Sequence, residues 1–179
     1  MTLSLIALIF ILIITLIVII PVFFGAPWHP TSRKDIIRAL ELCEAKPGQI
    51  LYDLGSGDGR VLKIAAKNFG MEAVGLEIDP LKVWLAKLFL PKEKYATRIK
   101  ILRKNIFDFD LGQADIIFIY MTHQALDRLF PKIVETLKPT AKIACYRFCL
   151  RGAQPEKVTA DKKIFIYQFN KGKTLNAYS

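Results

Sequence analysis

The stretch Leu51-Tyr-Asp-Leu-Gly-Ser-Gly-Asp-Gly-Arg60 carries a carboxylate, Asp53, two positions before the first of three glycines, Gly55, Gly57 and Gly59. Glycines spaced this way let a ligand approach the backbone and the start of a following helix. A second carboxylate, Glu77, lies twenty residues after Gly57, the spacing at which an acid accepts hydrogen bonds from two ribose hydroxyls. Position 60 is arginine, so the pattern is not G-x-G-x-x-G, and the lysine of a phosphate-binding loop is also missing. Asp53 would repel a pyrophosphate and attract a cation. A nucleoside that bears an amino group and no phosphate suits both carboxylates, and S-adenosylmethionine is such a molecule. The plainer alternative is a tight strand-to-helix turn that binds nothing.

A second candidate group is Tyr120-Met121-Thr122-His123. Tyr120 could orient an amine and His123 could accept its proton; alternatively Tyr120 packs and His123 simply starts a helix. Cys43, Cys145 and Cys149 have no C-x-x-C spacing, and His29 and His123 are isolated. Neither a disulfide framework nor a metal site is expected, and the cysteines read as reduced, partly buried thiols.

Strands alternating with helices must hold these residues. Ser32, with Asp35 in the first turn, predicts a helix whose apolar face is Ile36, Ile37, Leu40 and Cys43, ending near Pro47-Gly48. Strands are expected at Ile50–Leu54, Ala73–Leu76, Ile99–Leu102, Asp115–Tyr120, Lys142–Phe148 and Ile164–Phe169. Helices are expected at Val61–Phe69, from Asp79-Pro80 to about Leu90, and from about Gln124 to Leu137, the last bending or restarting at Pro131. Continuous apolar strands between helices predict an α/β fold: a mostly parallel sheet with helices on both faces.

From Gly48 to Phe148 the sequence resembles the class I S-adenosylmethionine-dependent methyltransferases, whose sheet is Rossmann-like. The resemblance implies that Asp53, Gly55, Ser56, Gly57 and Gly59 lie around the methionine part of the cofactor. It implies that Glu77 holds the ribose and that Ile78 packs on adenine. The adenine loop after the third strand matches Asn105-Ile106-Phe107, with an amide where the family often has an acid. A Pro-x-x-Pro-Thr linker (Pro27 to Thr31), the D-L-G-S-G-D-G-R turn and Val83-Trp84 further resemble the membrane-anchored protein-lysine methyltransferases of the ATP synthase c-subunit and adenine nucleotide translocase type. On that resemblance Pro30 and Thr31 close over the cofactor; otherwise they are linker and helix cap. A lysine of a membrane-embedded protein is then the expected acceptor. A lipid or hydrophobic small molecule is the alternative, an RNA acceptor is a weaker one, and a non-catalytic cofactor-binding module is the reading from a different class.

The ends of the chain differ in character. Apolar residues make up 53% of the 179, and all 26 basic and 16 acidic residues fall after Ser32. This excludes a disordered chain, a collagen-like chain and a multi-span membrane protein. The run from Leu3 to Phe24 suits one retained transmembrane helix over residues 3–21, with Pro21 near its end. It lacks the basic start and small-residue cleavage site of a signal peptide. The expected organisation is an anchor at 1–24, a linker at 25–32 and a methyltransferase domain at 33–179. Arg33, Lys34 and Arg38 follow the span and place the domain on the cytoplasmic, interior side. The net charge of +10 suits anionic lipid headgroups; nucleic acid is disfavoured because no recognised binding motif accompanies the charge.

Overall fold

The structure, a computed structural model, describes Ser4, residues 7–12, Thr15 and residues 30–168. Most of the expected membrane span, and the linker from Gly25 to His29, lie outside the described residues. Of that run, Ser4, residues 7–12 and Thr15 are helical, and among the described residues no helix is long and apolar enough to cross a membrane. The chain divides into two compact units, Met1–Thr31 and Ser32–Ser179, and the second contains the sheet.

Ser32 accepts a hydrogen bond from the Asp35 N–H at 3.1 Å and opens α1 (Arg33–Leu42). The elements that follow are β1 (Ile50–Leu54), α2 (Arg60–Phe69), β2 (Glu72–Glu77), α3 (Pro80–Leu88), a 3-10 turn (Lys94–Arg98), β3 (Ile99–Arg103), β4 (Ile116–Ile119), α4 (His123–Thr136), β5 (Lys142–Tyr146), β6 (Lys157–Val158) and β7 (Ile164–Gln168). They build one seven-stranded sheet ordered β3-β2-β1-β4-β5-β7-β6. The first five strands run parallel, whereas β7 is antiparallel to both β5 and β6. The mostly parallel α/β sheet expected from sequence is therefore present, as a mixed sheet.

Successive strand residues face opposite sides of a sheet, and each side has its own core. Leu51, Ala73, Ile101, Ile116, Phe118 and Ala144 pack with α1, α2 and α3. Tyr52, Leu54, Leu76, Ile117, Ile119 and Ile143 pack with α4 through Leu126, Leu129, Phe130 and Ile133. Helices thus cover both faces. Fully burying one such side chain contributes about 1.5–3 kcal/mol, so each layer is held by many comparable contributions.

Most boundaries shift by a residue or two from expectation, and two shifts have a visible cause. Helix α1 stops at Leu42, before Pro47-Gly48, with Cys43 as its C-cap and Glu44 in the left-handed region at φ 57°. Strand β5 stops at Tyr146, before Phe148, because Arg147 takes φ 66° and turns the chain out of the ladder. Helix α4 runs through Pro131 without restarting. Pro131 lies on the exposed side of that helix, where water can meet the carbonyl it leaves unbonded, while Phe130 and Ile133 hold the buried side. All three cysteines are free, and Cys43 and Cys145 are buried; burial above all pushes the Cys43 thiol up to about 12.

Candidate active site

The strand order reverses between β1 and β4, and in open α/β sheets a ligand crevice forms at such a point, beyond the carboxyl ends of the strands. Leu54 at the end of β1 pairs with Leu76 on one side and Ile119 on the other. Glu77 and Tyr120 therefore flank Gly55, roughly 10 Å from each other across one intervening strand. By alternation from Leu51, Ala73, Phe118 and Ala144, the residues Asp53, Glu77, Tyr120 and Tyr146 all belong to the face covered by α1–α3. Met121 continues the same approach: its Cε lies 3.8 Å from where a Cβ on Gly55 would be.

The glycine turn closes on Glu77. The Gly55 and Ser56 N–H groups both donate to the Leu76 carbonyl, at 2.9 and 3.0 Å. The Gly57 N–H donates to Glu77 Oε2 at 3.1 Å, and the Asp79 N–H donates to Oε1 at 3.0 Å. Gly57 and Gly59 have φ of 51° and 71°, and Gly59 is the N-cap of α2; these left-handed backbones explain the choice of glycine. Spacing alone assigned Glu77 only the ribose, yet its carboxylate also ties the turn to α3. A carboxylate offers about four acceptor sites, so two hydroxyl groups can still be received. Ile78, next to it, is exposed.

Electrostatics favour a cation. Asp53 is 4% exposed. Burial, then the charges of Glu77 and Asp58, push its carboxyl up to about 8. Burial also raises Asp58, but hydrogen bonds from Arg60 outweigh it and hold that carboxyl below its usual range. Arg60 Nε and Nη2 grip both Asp58 oxygens, the shortest contact being 2.7 Å. The arginine that breaks the dinucleotide pattern is therefore a clamp on the loop. Ser56 Oγ is buried without a hydrogen-bond partner among the described residues. It sits over Gly75, where an added Cβ would come within 2.6 Å of it.

The amide at Asn105 does local work. Its Nδ2 donates to Asp108 at 2.8 Å and its Oδ1 accepts from the Phe107 N–H at 3.2 Å. Asn105 and half-buried Ile106 follow β3, whose Arg103 is in register with Glu77, so this loop leaves the sheet at the same edge as Glu77. Thr31 is buried and immediately precedes the N-cap Ser32.

Beyond β4 the structure joins Tyr120 and His123 through aromatic residues that sequence reading left without a role. Tyr120 meets Tyr146 edge-on at 5.0 Å and stacks on Phe148 at 6.3 Å. His123, the first residue of α4, meets Phe148 edge-on at 5.1 Å, and its buried Nδ1 has no partner among the described residues. Tyr146 Oη donates to Asp35 of α1 at 2.8 Å, and Arg147 lies over the Tyr146 ring at 5.6 Å. The one available signal was position: Tyr146 and Phe148 come at the carboxyl end of a parallel strand adjoining the reversal point.

A family model described as the ANTKMT methyltransferase domain matches residues 53–157, from Asp53 past Phe148. The chain belongs to this family. Within the ANTKMT methyltransferase family it is 33% identical over 133 residues to a protein-lysine N-methyltransferase of Saccharolobus islandicus (strain REY15A), covering 74% of this chain and 83% of that one. It is 28% identical over 135 residues to the ATP synthase c-subunit lysine N-methyltransferase of Homo sapiens, covering 75% of this chain and 57% of the human protein. The chain thus spans little more than half the length of that human relative. Among solved structures, an RNA methyltransferase from Salinibacter ruber in complex with S-adenosyl-L-homocysteine superposes with a TM-score of 0.77 at 27% identity, covering 83% of this chain and all of that one.

The chain is an S-adenosylmethionine-dependent methyltransferase with a Rossmann-like fold. Its own residues fit the cofactor: Asp53, raised by burial and then by the neighbouring charges of Glu77 and Asp58, suits a cationic group, and Glu77 has acceptor sites left for ribose hydroxyls.

Proposed function

We propose that this methyltransferase N-methylates a lysine of a membrane or membrane-proximal protein. The observation that carries the reading is the aromatic wall of Tyr120, Tyr146 and Phe148 with His123, set beside Gly55 at the point where the strand order reverses. The lysine-directed activities of the Saccharolobus and human relatives support it.

The bound cofactor supplies an electrophilic methyl group on a sulfonium. Around it, Asp53 holds the cationic end, Glu77 receives the ribose hydroxyls, and Gly55, Ser56, Gly57 and Gly59 permit close approach. Ile78, Asn105 and Ile106 line the base. Tyr120 orients the amine, whose lone pair must lie in line with the methyl group. Ring faces stabilise the cation that forms on the amine nitrogen. His123 then takes the proton that nitrogen releases.

Residues 3–21 form a single membrane anchor in this reading, and Arg33 and Lys34 keep the catalytic domain on the cytoplasmic side. The linker from Gly25 to Ser32 reaches at most about 28 Å, which holds the site close to the headgroups. A lipid or hydrophobic small molecule remains the runner-up acceptor, because an anchored domain reaches it equally well. RNA is the further reading, favoured by the +10 charge and by the likeness to the Salinibacter RNA methyltransferase. Membranes labelled with radioactive S-adenosylmethionine decide among them. Methylated lysine in protein hydrolysates is the expected result; label that extracts with lipid, or that ribonuclease releases, overturns it.

A further inference from the structure

Helix α3 buries Val83 and Ala86 but exposes Leu81, Trp84, Leu85 and Leu88, and exposed Phe89 follows as its C-cap. At 3.6 residues per turn the four exposed apolar residues share an arc of about 100° opposite the buried pair, with Lys82 and Lys87 on its two shoulders. Trp84 is 59% and Phe89 67% exposed. A contiguous apolar patch of this kind on a folded domain marks an interaction surface.

Charge identifies what it meets. Between Leu81 and Lys104 stand eight of the 26 basic residues and one of the 16 acidic ones, Glu93. Lys82 pairs with Asp79 at 3.8 Å and Glu93 with Lys67 at 3.7 Å. Among the described residues, Lys87, Lys92 and Lys94 have no carboxylate partner. We infer that α3 and the turn after it dock on the headgroup region of an anionic lipid bilayer. The leucines and Trp84 enter the interface, as the apolar face of an interfacial helix does. Indole favours headgroup depth, and the lysines extend their stems along the apolar surface to reach lipid charge. Two copies meeting through this face would bring two lysine arrays of one sign together. RNA would meet the lysines but gain little from three leucines. The docking needs neither a particular methyl acceptor nor a span at residues 3–21, and it would set the site's orientation to the membrane as well as its distance.

The full-length Trp28→Phe chain keeps Trp84 as its sole tryptophan. It is combined with vesicles of mixed phosphatidylglycerol and phosphatidylcholine, or of phosphatidylcholine alone, containing lipids brominated at shallow or deep acyl positions. In anionic vesicles Trp84 emission should shift to the blue and be quenched most by shallow bromines. Lys82→Gln and Lys87→Gln should each weaken docking roughly fivefold, while S-adenosylmethionine binding reports that every variant is folded. The inference is overturned if Trp84 stays water-accessible on anionic vesicles, or if neutral vesicles quench it equally. It is also overturned if Trp84 becomes shielded with rising protein concentration in the absence of lipid, which identifies a second copy, or if an RNA oligonucleotide shifts it and vesicles do not.

Discussion

Replacing Asp53 with asparagine tests the electrostatic basis of the cofactor site. With its carboxyl raised to about 8 by burial and by Glu77 and Asp58, Asp53 is protonated at neutral pH in the free folded protein. In the unfolded chain it ionises near 4. Between those values the folded state holds one proton more than the unfolded state, so the contribution of Asp53 is fully present below about pH 4 and falls as pH rises to about 8. At pH 7 the loss amounts to about 4 kcal/mol at most. Asp53→Asn removes it, so the ligand-free variant should be the more stable protein at pH 7, with the gap narrowing toward pH 4. Binding reverses the preference, because a cationic ligand favours the ionised acid. Wild-type affinity for S-adenosylmethionine should rise up to tenfold from pH 6 to pH 7, with proton release, and level off near 8, where the ligand's own amine begins to lose its charge. In the variant the affinity should be weaker and nearly flat with pH. Denaturant unfolding and titration calorimetry across pH 5 to 9 measure both quantities. Equal pH slopes of affinity in wild type and variant would refute the reasoning.

Glu77→Ala should weaken cofactor binding by roughly 1.5–3 kcal/mol for each charge-assisted bond lost; Gly57→Val should do worse, as a Cβ blocks the backbone approach, and unchanged calorimetric affinity in both folded variants contradicts the site. Gly75→Ala drives a methyl group to within 2.6 Å of Ser56 Oγ and Leu62 Cδ1, and thermal unfolding should show a loss of about 1–3 kcal/mol. His123→Ala should slow methyl transfer by about 10²- to 10⁴-fold while leaving cofactor affinity in place; a parallel fall in affinity would assign His123 to folding. Deleting residues 1–24 should keep cofactor binding and sharply lower methylation of the native acceptor in membranes, and equal labelling by both forms would refute the anchor's role.

Much of the sheet was legible because its strands are short continuous apolar runs. Ile50–Leu54 stands in the structure with the bounds read from sequence, and Asp79-Pro80 opens α3 as capping rules require. Of the two outcomes expected at Pro131, the restart does not occur: α4 runs through it, and that side of the helix faces solvent. The 3-10 turn at Lys94–Arg98 and the two-residue β6 lack the length to show a period. At the site, Asp53, the glycines and Glu77 were legible from spacing within one strand-turn-helix-strand unit. Tyr146 and Asp35 were not, because a contact between residues 111 positions apart leaves no local pattern. Helical periodicity puts apolar residues on two sides of α3 but could not show which side the core covers.

The bond from Tyr146 to Asp35 also sets an order of events during synthesis. Helix α1 emerges early, yet its partners in β5 and β7, including Ile164 and Ile166, are made more than a hundred residues later. At about 5–20 residues per second, the ribosome needs roughly 6 to 26 seconds to deliver them. Helix α2 is made sooner and packs on α1, but the part of α1 that β7 covers stays open through that interval to chaperones and to any nearby bilayer. Chains released before β7 should therefore bind chaperones through α1, and the acceptor side of the active site should be the last region of the nascent protein to gain protection from proteolysis.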